Sequence, residues 1–183
     1  MRDTKQEVLK FWFEETQPQQ WFQKDESFDR EITERFSVTY DMAKKDLCAD
    51  WTKDADGSLA LCLVLDQFPR NMFRDSPKAF ETDKKALLIS KEALHRGYDM
   101  LLPTVKRKFL YMPFMHSENI DEQNRCVSLF GQMQEEEPLS YDYAMRHKEV
   151  IEEYGRFPHR NVIIGRESTK EEIEYLKSPG AGF

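Results

Sequence analysis

Three segments of the 183-residue chain bring arginine, histidine, asparagine and carboxylate side chains together at short spacing. Phe68-Pro69-Arg70-Asn71 and Phe157-Pro158-His159-Arg160-Asn161 echo one another, and each is followed by a further arginine, Arg74 and Arg166. A Phe-Pro turn is stiff, and a guanidinium presented on it can grip a carboxylate or phosphate through a two-pronged fork. Arg70, Asn71, Arg156, Arg160 and Asn161 are therefore candidate ligands for a small anion, with Asp66 orienting an arginine. The competing reading pairs these arginines with Asp66 and nearby glutamates, as ion pairs that tie helix ends together. Both readings stay open from the residues alone. The third segment is Met115-His116-Ser117-Glu118-Asn119. A histidine beside a carboxylate is what general acid/base chemistry uses, so His116 and Glu118 form a candidate catalytic pair with His159 as a second donor. Hydrolysis or group transfer is the reaction class that suits them, provided the three segments converge. A structural account also exists, in which Ser117 caps the next helix and Glu118 complements its dipole.

Other chemistries find less support. Histidine and carboxylate are possible metal ligands, but tight pairs such as H-E-x-x-H are absent, so no metal ligand is assigned. No G-x-S-x-G elbow occurs, no cysteine stands beside a histidine, and seven glycines draw no phosphate-binding loop. No motif requires a cofactor. His147 falls on an apolar stripe between Tyr143 and Ile151, where a hydrogen-bonded core histidine is the simplest reading, and His95 fills the last turn of a helix. A net charge of −7 and a pI near 5.2 argue against nucleic acid as a partner, because phosphate neutralisation needs a basic surface. Three cysteines, Cys48, Cys62 and Cys126, show no paired spacing and read as reduced thiols. With no apolar leader and no run of bilayer length, the expectation is a soluble cytoplasmic protein without a membrane partner.

The elements that must hold these residues are helices. The longest apolar run, Leu59 to Leu65, is rich in Leu and Ala, which points to a buried helix. Pro69 disfavours the α conformation at Phe68, so this helix is expected to stop near Gln67. Ser58 is a candidate cap for it. A first helix is expected over about Lys5 to Glu15, and a second from Asp25 with Phe28, Ile32, Phe36 and Tyr40 inward. Ser76-Pro77 reads as a helix start and Gly97 as its stop. Shorter helices follow from Leu102-Pro103 to Pro113, from Asn119, from Ser140 to Gly155, and from Ser168-Thr169 with Glu171-Glu172. Val162-Ile163-Ile164 has β character but is too isolated to build a sheet. The sum is an all-α fold of about eight helices in packed antiparallel hairpins, and residues 1–183 read as a single domain.

The blocks VLKFWF, LALCLVLDQFPRNMFR, AFETDKKAL, FLYMPFMHSE, YGRFPHRNVIIGRESTKEE and PGAGF, in that order, resemble the bacterial domain-of-unknown-function family 924 from Val8 to Phe183. The resemblance implies an all-α arrangement similar to the tetratricopeptide-repeat-like superfamily, and it carries over no catalytic residue. The chain departs from true tetratricopeptide repeats, having neither their 34-residue period nor their W-x2-L-G-x2-Y signature.

Two functions are open at this point. One is a pocket that binds a small anionic molecule through the Arg/His/Glu cluster, with or without a reaction. The other is a non-enzymatic module for a protein partner, which would use a concave helical surface and surface aromatics at Trp12, Trp21 and Trp51.

Overall fold

The computed structural model describes residues 4–182. Every regular element among them is helical. The α-helices are α1 (Thr4–Lys10), α2 (Glu26–Lys44), α3 (Ala55–Cys62), α4 (Phe68–Met72), α5 (Asp83–His95), α6 (Thr104–Met115), α7 (Ile120–Gly131), α8 (Pro138–Tyr154) and α9 (Lys170–Tyr175). None of them is long and apolar enough to cross a membrane. The chain divides into two compact units, one running to Arg74 and resuming over Lys78–Pro113, the other comprising Asp75–Pro77 and the residues from Phe114 onward.

The first unit is organised around α3 and the segment that follows it. Asp54, rather than Ser58, is the N-cap of α3, accepting a bond from the Gly57 N–H at 2.7 Å. Ser58 lies inside the helix and donates to the Asp54 carbonyl. Gly57 is required here by close approach, since a Cβ would meet the Trp51 carbonyl oxygen at 2.1 Å. The helix does not stop at Gln67. It widens into a π-helical turn over Leu63–Gln67 and continues as α4, with Phe68 itself in the α region. Proline tolerates this because the freed backbone groups find other partners. Leu65 lies four residues before Pro69, and its carbonyl accepts a 2.6 Å bond from the Thr82 hydroxyl. The next carbonyl, Asp66, accepts from the Arg70 guanidinium.

A second π-turn, Phe11–Glu15, follows α1 and closes with Thr16 N–H on the Phe11 carbonyl. It turns Phe11 and Trp12 into an aromatic core with Trp21, Phe28, Phe36 and Phe68; Phe36 and Phe68 have ring centroids 4.9 Å apart. Trp12 is fully buried and Trp21 is 7% exposed, so neither is the surface aromatic that an interaction module would display. Indole area is large, and the α2 stripe offers the apolar cover that removes it from water. Ser76-Pro77 opens only a 3-10 turn, Pro77–Phe80, with α5 beginning later at Asp83.

In the second unit α7 packs against α8 as a helical hairpin. Asn119 caps α7 by accepting from the Asp121 and Glu122 N–H groups. Helix α8 begins at Pro138, so Ser140 is inside it and donates to Glu137 instead of capping. Its end is the left-handed Gly155, φ +67°. Helix α9 opens with a full capping box between Thr169 and Glu172. Val150, Ile151 and Phe157 form the unit's apolar cluster, joined by Tyr154 and Tyr175. The Val162-Ile163-Ile164 stretch is a series of turns.

Candidate functional site

The predicted site residues fall into two sets, one in each unit, and each set is described by itself. In the first unit Asp66 is fully buried at the centre of the π-turn, accepting from the Gln67 amide at 2.6 Å. Arg70 reaches back to Asp66 at 3.4 Å and forks Asp83 with bonds of 2.9 and 3.0 Å. Burial works against a charged guanidinium, but Asp66 and Asp83 together keep the Arg70 proton more firmly held than usual. Arg74 forks Asp29 on α2, and Asn71 donates to the same carboxylate at 2.8 Å. The first Phe-Pro segment is thus bonded to α2 and to the start of α5.

The second unit repeats the device. Arg166 forks Glu118 at 2.7 and 2.8 Å, and Glu118 also accepts the Phe157 N–H at 2.8 Å. Burial opposes ionisation of Glu118, yet the Arg166 fork and the Phe157 N–H hold its carboxyl below the usual range. Arg156 forks Glu172 at 2.6 and 2.8 Å. The Arg156 bond, against some desolvation and with help from the Thr169 N–H and Asn161, brings the Glu172 carboxyl down to about 2. Asn161 is buried and fully used: its amide donates to Ser168 and Glu172, and its carbonyl accepts from Arg166. Arg156 and Glu172 also line an open groove of about 470 Å³ with Glu153, Tyr154, Thr169 and Glu171, whose three glutamates give it an acidic lining.

Around Phe157 stands a different kind of cluster. The Arg160 guanidinium lies over the Phe157 ring, 4.7 Å from its centroid, and Arg160 donates to the His116 carbonyl at 3.0 Å. His159 and His147 flank the same ring at centroid distances of 5.7 and 5.5 Å, and His116 lies 6.4 Å from His147. The end of α6 is held by Gln123 of α7, whose amide donates to the Met115 and Ser117 carbonyls at 2.7 and 2.6 Å. Helix carbonyls that lack backbone partners favour such donors, and a guanidinium there also complements the dipole. His147 is 7% exposed, with Nδ1 2.7 Å from the Tyr143 carbonyl. Burial, and then the charges of His116, His159 and Arg160, push its pKa down to about 3, while the Tyr143 bond works the other way. Neutral His147 must therefore carry its proton on Nδ1, toward that carbonyl.

The structure brings His116, Glu118, Arg156, His159, Arg160 and Asn161 into one unit and keeps Asp66, Arg70 and Asn71 in the other. Sequence reasoning left two contributors without a role, Gln123 and Glu172; the only signal for Glu172 was its place in a capping box. Among the described residues no three His, Cys, Asp or Glu side chains gather as metal ligands. Cys48, Cys62 and Cys126 are free and buried.

Residues 8–180 match the model of a family described as bacterial protein of unknown function, DUF924. The solved structure of a protein of unknown function from Agrobacterium tumefaciens is 38% identical, with a TM-score of 0.91 over 95% of this chain and 97% of that one. No curated protein matches the chain. The chain belongs to the DUF924 family.

Proposed function

We propose that this member of the DUF924 family is a cytoplasmic protein that binds a small anionic ligand at the cluster of His116, His159 and Arg160. One observation carries the reading: a guanidinium and two histidine-bearing segments are fixed around a single aromatic ring, with Arg160 bonded to the His116 carbonyl at 3.0 Å and lying over Phe157. Cationic and protonatable groups brought that close create a positive potential that an anion relieves. Burial is the first cause of the low His147 pKa, and the charges of His116, His159 and Arg160 add to it. Glu118, Arg166, Arg156, Glu172 and Asn161 then serve as the frame that fixes the Phe-Pro turn. The hydrogen-bonded set of Asp66, Arg70 and Asn71 frames the other turn in the same way. Hydrolysis or group transfer on an anionic substrate is the chemistry that fits, with His116 and His159 exchanging the protons. Glu118, whose carboxylate is already forked by Arg166, would orient rather than titrate. Buried free thiols suit the reducing cytoplasm.

Native mass spectrometry of the purified protein, followed by titration calorimetry with inorganic phosphate and small dicarboxylates, tests this. The expected result is a retained anion, or salt-sensitive binding that weakens about tenfold or more in Arg160→Ala. A clean apo mass with no heat for any of these anions overturns it.

A second reading is a non-enzymatic, tetratricopeptide-repeat-like interaction module. It is favoured by the engagement of Arg70, Arg74, Arg156 and Arg166 with carboxylates of their own chain. Thermal melting separates the two. A binding cluster held at the expense of stability melts no lower in His116→Ala and Arg160→Ala, whereas a purely structural network loses a few kcal/mol.

A further inference from the structure

After α9 the chain turns back on itself. The Ala181 N–H donates to the Ser178 carbonyl at 3.1 Å, and Gly180 and Gly182 hold φ of +80° and +93°. Gly182 also stands near the Tyr175 phenol on α9. At Gly182 the backbone lies against His159. A Cβ built there would stand 3.2 Å from His159 Cβ, 3.5 Å from Cγ and 3.9 Å from Nδ1. The His159 Nδ1 atom is buried, although the residue as a whole is half-exposed. The left-handed backbone favours glycine at position 182, and the His159 Cβ beside it leaves a side chain little room. Residues 177–180 before it are exposed, and exposed backbone opens at low cost.

We propose that residues 178–182 form a strap that closes over the Nδ1 edge of His159 and controls the access of the anionic ligand to that imidazole. The inference rests on the reading of His159 as part of the anion site. Closed, the strap shields one ring nitrogen from solvent. Open, it exposes the Nδ1 edge of His159 to solvent and to the ligand.

Diethyl pyrocarbonate, which acylates accessible neutral imidazole, provides the test, with the modified residue located by peptide mass mapping in the full chain. In Gly182→Val the side chain collides with His159 and the backbone conformation is disfavoured, so His159 is expected to react about tenfold faster than in the wild type. Tyr175→Phe removes the hydroxyl near Gly182 without adding bulk, and is expected to raise the His159 rate by a smaller factor. Buried His147 serves as the internal reference and keeps its rate. Inorganic phosphate is expected to slow acylation of His159 in all three proteins. An unchanged His159 rate in both variants overturns the strap, even where phosphate still protects. A faster rate that phosphate does not slow leaves the strap standing and removes the anion reading.

Discussion

His147 shows how one side chain can record its surroundings. Its position on the α8 stripe marks it as a core histidine, and its bond to the Tyr143 carbonyl bears that out. Burial and the neighbouring cations keep it neutral in the folded state down to about pH 3, whereas the unfolded chain protonates it near the ordinary value of 6.5. Below 6.5 the unfolded chain therefore binds the extra proton, and stability falls with pH until the folded group also titrates. From 6.5 down to about pH 5 this group alone should remove roughly 2 kcal/mol, a ceiling set by 1.36 kcal/mol per pH unit. Urea unfolding of the wild type and His147→Leu across that range is expected to show the acid-side slope only in the wild type. Equal slopes would mean that His147 titrates normally. The arginines make the complementary point. Each of Arg70, Arg74, Arg156 and Arg166 forks a carboxylate; the sequence pointed to Asp66 as a partner for Arg70, but not to Asp83 or Asp29.

The element that departs furthest from expectation is the Leu63–Gln67 turn. A proline normally ends the helix before it, but here the helix runs on because Thr82 and Arg70 supply donors to the Leu65 and Asp66 carbonyls. Thr82 sits just before α5, seventeen positions beyond Leu65. Its hydroxyl is therefore a long-range condition for a local conformation. Thr82→Val keeps the shape and leaves the buried carbonyl without that donor, and a loss of about 1–3 kcal/mol is expected in equilibrium unfolding. A loss under a few tenths would show that the π-turn satisfies its own carbonyls. Helix α6, which was expected to end at Pro113, extends to Met115. Gln123 and Arg160 bind the carbonyls of Met115, His116 and Ser117 that follow the proline.

At the scale of the whole molecule, the reading of residues 1–183 as one domain makes a measurable claim. All three tryptophans, Trp12, Trp21 and Trp51, lie in the first compact unit, while His116, His147 and His159 lie in the second. Tryptophan fluorescence and the NMR resonances of these three histidines therefore follow different units, His95 being set aside because it lies in the first. A single cooperative domain is expected to give coincident urea midpoints for the two probes, and separated midpoints would make each unit a domain of its own.

The sequence by itself determined the helical class, most helix starts and stops, and the buried character of the Leu59–Leu65 run. Those properties follow from hydrophobic period, capping residues and glycine conformation, all of which act within a few residues. It also singled out the two Phe-Pro segments and the histidine-carboxylate pair, because charged and ring-nitrogen groups are conspicuous against a helical background. Only the tertiary structure decided which carboxylate each arginine holds, that two prolines are absorbed within helices, that Trp12 and Trp21 are buried, and that Gly182 rests on His159. The physical reason is distance along the chain. Arg166 and Glu118 are 48 positions apart, and Arg74 and Asp29 are 45. A fork between such groups is selected by the packing that brings them together, and local sequence carries no record of it.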